Sequence, residues 1–116
     1  MIQNPKLALE LELDKDKLAE LNMTIEDAFS IFRERFSKFG LKEMESEAYD
    51  NHTVFVTDGS EKGMAMIGLA DDVLLDELPW FKKCATKMNL WVEDRKTHKF
   101  ILDSDCIQDN KEEGFW

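Results

Sequence analysis

The chain has 116 residues, 43% of them hydrophobic, with 15 basic and 25 acidic side chains for a net charge of −10. That length suits one domain with a single ordinary core, and eight Phe and three Trp exclude a disordered chain. The acidic excess excludes nonspecific nucleic-acid binding and adhesion to anionic membranes, since both need clustered Lys and Arg.

Leu7-Ala8-Leu9-Glu10-Leu11-Glu12-Leu13 alternates, leucines on one face and glutamates on the other, which predicts a half-buried strand. The polar stretch Asp14 to Glu20 suits a turn or a short helix. Thr24 with Asp27 makes a box-like helix start. Ile25, Ala28, Phe29, Phe32, Phe36 and Phe39 then recur at helical steps, and Gly40 sits where a helix C′ glycine belongs. From Leu41 the period becomes two, which places Glu43, Glu45 and Glu47 on one face of a strand that ends at an Asp50-Asn51 turn.

Thr53 to Thr57 and Met64 to Leu69 read as two further strands of a meander, joined by the loop Asp58 to Gly63. Asp71 or Asp72 then caps a helix through Leu78, which Pro79 interrupts. The alternative to a simple break or kink is that Pro79 opens a second short helix through Trp80, Phe81, Cys84 and Ala85 to about Met88. Asn89 to Asp94 and Lys99 to Asp103 form a closing hairpin around Arg95-Lys96-Thr97-His98. The expected architecture is a single α+β domain over residues 1–103, in the order β-α-β-β-β-α-β-β with the second helix broken at Pro79. Its sheet is mostly antiparallel, with room for one parallel pairing of the first strand, and its helices lie on one face. Residues 104–116 form an acidic C-terminal tail whose Phe115-Trp116 end packs back on the domain or anchors a partner, the former being favoured.

The charge is blocky. Residues 41–58, 71–78 and 103–116 each carry a net −4, whereas 79–102 carries +4. Asp71, Asp72, Asp76 and Glu77 fit a helix N-terminal region, and Lys82, Lys83 and Lys87 a C-terminal half. The row Glu43, Glu45, Glu47 most simply decorates a solvent face or protects a sheet edge. Its sharper reading is mimicry of a nucleic-acid backbone, because alternate strand residues lie roughly 7 Å apart. Asp103-Ser104-Asp105 with Asp109 and Glu112 fails as a calcium loop, since Ile107 and Gln108 stand where an acid and a glycine are needed.

No catalytic, cofactor or metal motif emerges, and none is specific enough to assign a family. His52 has Asp50 nearby in sequence and His98 sits in the hairpin turn, neither with a nucleophile at diagnostic spacing. Cys84 reads as a small buried hydrophobe, and Trp80, Trp91 and the phenylalanines as core. Two cysteines without CxxC spacing point to reduced thiols, and the start of the chain lacks a signal peptide's charged and apolar regions. The expectation is a soluble cytoplasmic protein without a membrane span.

The leading functional reading is a non-enzymatic protein-interaction module, of the inhibitor, immunity or accessory kind, without cofactor. Its partner is another protein, best a basic one, rather than nucleic acid or membrane. Partner-binding candidates are Glu43, Glu45, Glu47, Asp103, Asp105, Phe115 and Trp116. Homodimerisation through an exposed strand is compatible. The alternatives are a small enzyme with an acid–histidine cleft, and an acidic mimic acting on a DNA- or RNA-binding protein.

Overall fold

A computed structural model describes residues 4–114 and 116; Phe115 and residues 1–3 lie outside the described residues. The alternating leucines form strand β1 (Leu7–Leu13), and Leu9, Leu11 and Leu13 are wholly buried. β1 is the middle of a five-stranded sheet with β2 (Lys42–Glu43), β3 (His52–Val56), β4 (Ala85–Glu93) and β5 (Phe100–Asp105). The order is β2-β3-β1-β4-β5 and every pairing is antiparallel, so the parallel option is not used.

All helices pack on the leucine face, which settles the α+β class. Helix α1 (Lys15–Glu20) is capped by Asp14, whose side chain accepts from the backbone of Asp16 and Lys17, and it buries Leu18. Helix α2 (Ile25–Ser37) opens with the predicted capping box: Thr24 N–H donates to Asp27 at 2.9 Å and Asp27 N–H to the Thr24 hydroxyl at 3.1 Å. Its stripe buries Ala28, Phe29, Phe32 and Phe36. Gly40 closes the turn at φ +84°, a left-handed conformation that a side chain would strain, and Leu41 N–H returns to the Phe36 carbonyl. Phe32 is the hub of the core, with the rings of Phe36, Trp80 and Phe81 centred 5.7, 5.8 and 6.0 Å away.

Four predicted elements come out differently. Met64 to Leu69 is not a strand but part of helix α3 (Gly63–Asp72). Gly63, Ile67, Ala70 and Leu74 are buried at four-, three- and four-residue steps, while Met64 and Leu69 face solvent. The apolar run thus had a helical period that its length disguised. Asp71 and Asp72 consequently end a helix rather than start one; α3 widens into a π-helical turn over Val73–Glu77, closed by Leu78 N–H to the Val73 carbonyl. Pro79 does break the run, with Leu78 driven to extended φ and ψ as a residue before proline prefers.

The helix expected to Met88 stops after one turn, α4 (Phe81–Cys84). From Ala85 the chain is needed as the second neighbour of β1, and Met88, Leu90 and Val92 face Leu11, Leu9 and Leu7. The row Glu43, Glu45, Glu47 does not form on a strand either. β2 ends at Glu43, and Glu45–Glu47 make a 3-10 turn. The closing hairpin forms as expected: Asp94 accepts from the backbone of Lys96 and Thr97, and His98 takes φ +59°. β5 runs on to Asp105, which caps helix α5 (Cys106–Glu113) by accepting from Gln108 N–H at 3.1 Å. Trp116 packs back against the core, its ring 6.0 Å from that of Phe81. Among the described residues no helix is long and apolar enough to cross a membrane.

Asp71, at the end of α3, is a partly buried carboxylate in the helix layer. One of its oxygens is buried without a hydrogen-bond partner among the described residues. Burial, with Asp72 adding repulsion, pushes its carboxyl up to about 6. The native state therefore holds a proton there between about pH 4 and pH 6 that the unfolded chain has released, and stability falls as pH rises through that window. Asp71→Asn is expected to stabilise the protein by about 1–2 kcal/mol near pH 7 and by little near pH 4, read from urea midpoints at both pH values.

Candidate functional site

Alternation sends every second residue of the sheet away from the helices. On β1 these are Ala8, Glu10 and Glu12; register places Val54 beside Glu10 on β3, and Asn89 and Trp91 on β4 beside Glu10 and Ala8. Leu102 of β5 lies opposite Trp91 and Phe100 opposite Glu93, on the same face. Among the described residues no α-helix covers this face, and the 3-10 turn Glu45–Glu47 borders it. The face carries a connected polar constellation.

Glu10 is its centre. One carboxylate oxygen accepts from Asn89 Nδ2 and from Trp91 Nε1, both at 3.0 Å, and the other meets His52 Nε2 at 2.7 Å. His52 Nδ1 lies 2.7 Å from the Glu47 carbonyl, and Tyr49 stacks on the imidazole at 4.8 Å. Both ring nitrogens face oxygen atoms, the Glu47 carbonyl and the Glu10 carboxylate. The pair is shielded: the His52 and Glu10 side chains are 5% and 14% exposed. Burial raises the Glu10 carboxyl, but the hydrogen bonds from Asn89, His52 and Trp91 together with the nearby imidazole outweigh it, and the net shift is downward.

Beside Glu10 the face dips into a depression of about 190 Å³. Ala8 and Val54 lie in it, Trp91, Phe100 and Met44 flank it, and Glu10 and Glu47 supply its charge. Both oxygens of Glu10 and both nitrogens of His52 have a hydrogen-bond partner, three of the bonds converging on the one carboxylate. His98 is 74% exposed in its turn, 3.8 Å from Glu93.

The candidate acids are dispersed. Glu43 turns toward the helix layer, where its carboxylate accepts from Arg33 Nε at 2.9 Å and from the Thr53 hydroxyl at 2.5 Å. Glu45 is exposed in the 3-10 turn, and Glu47 borders the depression. The continuous acidic row on which nucleic-acid mimicry rests is therefore not formed. Asp103 is the extra residue where the β4–β5 register shifts, its carboxylate bonded to Ser104, and Asp105 is a helix cap. Trp116 sits against Phe81 in the helix layer; Phe115 lies outside the described residues.

No protein-family model matches the chain, and no curated protein matches it as a relative.

Sequence reasoning missed Glu10, His52, Asn89 and Trp91 as a group. Asp50, the sequence neighbour of His52, pairs instead with Lys15. Trp91, expected in the core, is on the open face. The available signal was a glutamate in the middle of a leucine strand and an Asn-x-Trp pair in β4, which meet only once strand pairing is known.

Neither cysteine forms a dyad with a histidine. Cys84 is buried, as expected, and burial raises its thiol. Cys106, at the start of α5, is pushed up to about 12 by burial and then by Asp71, Asp109, Asp105 and Asp103. Its alkylation near pH 8 is expected to be roughly 100- to 1,000-fold slower than that of a free thiol, measured by mass spectrometry of iodoacetamide-treated native protein.

Proposed function

We propose that this protein is a protein-interaction module that works through the open face of its sheet. The observation that carries the reading is a five-stranded antiparallel sheet with helices on one side only, whose other side combines Trp91, Phe100 and Leu102 with a built polar centre at Glu10. Aromatic side chains around a shielded polar centre are what protein interfaces concentrate. Leu102 is 48% exposed there. The net charge of −10 favours a basic partner, whose association it would accelerate at low salt. Two unpaired cysteines support a reducing, cytoplasmic compartment.

The test is differential co-purification from the source cells. Wild type and Glu34→Gln, a change on the helix side, are expected to retain the same stoichiometric partner at low salt. Leu102→Glu is expected to retain about fivefold less or lower, and the complex to weaken with added salt. Equal retention by Leu102→Glu contradicts the reading.

A second reading has its own observation. Ile101 and Leu102 are 56% and 48% exposed on β5, an edge strand of the sheet. Pairing of two copies along this edge would cover both. Light scattering after size exclusion distinguishes a dimer, which Ile101→Lys would then dissolve, from a monomer.

A further inference from the structure

We infer that the depression beside Glu10 is a socket for an arginine side chain of a basic partner segment. This rests on the open sheet face being the interaction surface and adds the chemistry of what enters it. Size comes first. At about 190 Å³ the depression is smaller than the roughly 300–1,000 Å³ clefts that enclose drug-sized ligands, so one side chain suits it better than a metabolite.

Charge comes second. Its described lining holds two carboxylates, Glu10 and Glu47, and no lysine or arginine. The two acids are not equivalent. Glu10 already holds three hydrogen bonds, from Asn89, Trp91 and His52. Among the described residues the Glu47 carboxylate has no hydrogen-bond or ion-pair partner, so both of its oxygens remain for an incoming donor. Glu10 therefore builds the wall and Glu47 supplies the uncompensated charge.

The third argument is the wall itself. Trp91 and Phe100 flank the same space, and aromatic rings attract a cation through their faces. The Trp91 indole is held by its bond to Glu10 at 3.0 Å, which fixes the ring before any ligand arrives and lowers the ordering cost of binding. A planar guanidinium fits this set better than an ammonium, because it stacks on aromatic rings and also forms paired hydrogen bonds with a carboxylate. Its methylene stem has Met44, Ala8 and Val54 to lie against.

The experiment is a two-dimensional NMR titration of the full chain with a short acetylated, amidated Gly-Arg-Gly peptide, alongside the same peptide carrying neutral citrulline. Arginine is expected to shift the Trp91 indole N–H and the amides of Glu47 and Phe100, with a Kd on the order of 1–10 mM. Citrulline should bind at least about fivefold more weakly, and Glu47→Gln should weaken arginine by a similar factor. Glu47 is exposed, so that variant is expected to fold; an unchanged spectrum elsewhere checks it. Equal shifts with citrulline, shifts confined to the acids of α3 or α5, or no effect of Glu47→Gln each overturn the socket. If the arginine titration fails while Leu102→Glu still releases the partner, the socket is wrong and the docking face stands. If arginine binds selectively while Leu102→Glu retains the partner, the socket holds and the protein docks elsewhere.

Discussion

Glu10→Ala is expected to lower the unfolding free energy by about 2–4 kcal/mol near pH 7, measured by urea denaturation. The substitution removes one carboxylate and leaves three shielded donors, on Asn89, Trp91 and His52, without their acceptor. The cost comes mainly from those abandoned donors, so a half-buried network loses less than a fully buried one but far more than a surface ion pair. Its pH dependence has a definite sign. The folded Glu10 carboxyl titrates below its ordinary value of 4.5, so its contribution is complete above about pH 4.5 and fades as pH falls through the depressed value. The gap between wild type and Glu10→Ala should therefore narrow on acidification. A gap unchanged between about pH 7 and pH 3 would mean that the carboxylate charge is not what the donors hold.

Phe32→Ala is expected to cost about 3–5 kcal/mol, a large fraction of the roughly 5–15 kcal/mol that a domain of this size has. Phe32 is wholly buried, and five aromatic rings surround it: Phe29, Phe36 and Trp80 in tilted or stacked contact, Phe55 and Phe81 edge-on. Those rings belong to α2, β3, α4 and the residue before it, so they cannot collapse together into the space without moving the sheet against the helices. Phe32→Leu, which leaves less space, should cost clearly less, and the difference between the two variants in urea midpoint reads the cavity contribution directly. Equal costs would mean that the aromatic cluster relaxes freely around the hub.

What the sequence made legible follows from how local each signal is. The β1 alternation, the Thr24–Asp27 box, the Phe stripe, the Gly40 closure and the break at Pro79 are each written within a few consecutive residues, and each is realised. The elements that moved are those decided by distant partners. Met64 to Leu69 lies in a helix that places Ile67, and beyond it Ala70, in the core shared with β1 and α2. Ala85 to Met88 had to be extended because β1 lacked a second neighbour.

The candidate site lies at the far end of that scale. Its members come from β1, the 3-10 turn, β3, β4 and β5, and His52 and Trp91 reach Glu10 from opposite sides of one strand. No spacing rule links residues 10, 52 and 91. Several acids of the blocks that looked most informative in the sequence are engaged by structure: Glu43 by Arg33 and Thr53, Asp50 by Lys15, Glu77 by Arg35, Asp105 by its cap. Glu47 is the member of the row that reaches the open face beside aromatic rings.

The central claim is that the bare side of the sheet, rather than the helix layer, meets the partner. Site-specific photo-crosslinking in the source cells tests it most directly, with a benzophenone amino acid placed at position 102 on the open face or at position 34 on α2. A discrete adduct of one mass from position 102, absent from position 34 and suppressed by raised salt, is the predicted result. A discrete adduct from position 34 with none from position 102 would contradict it.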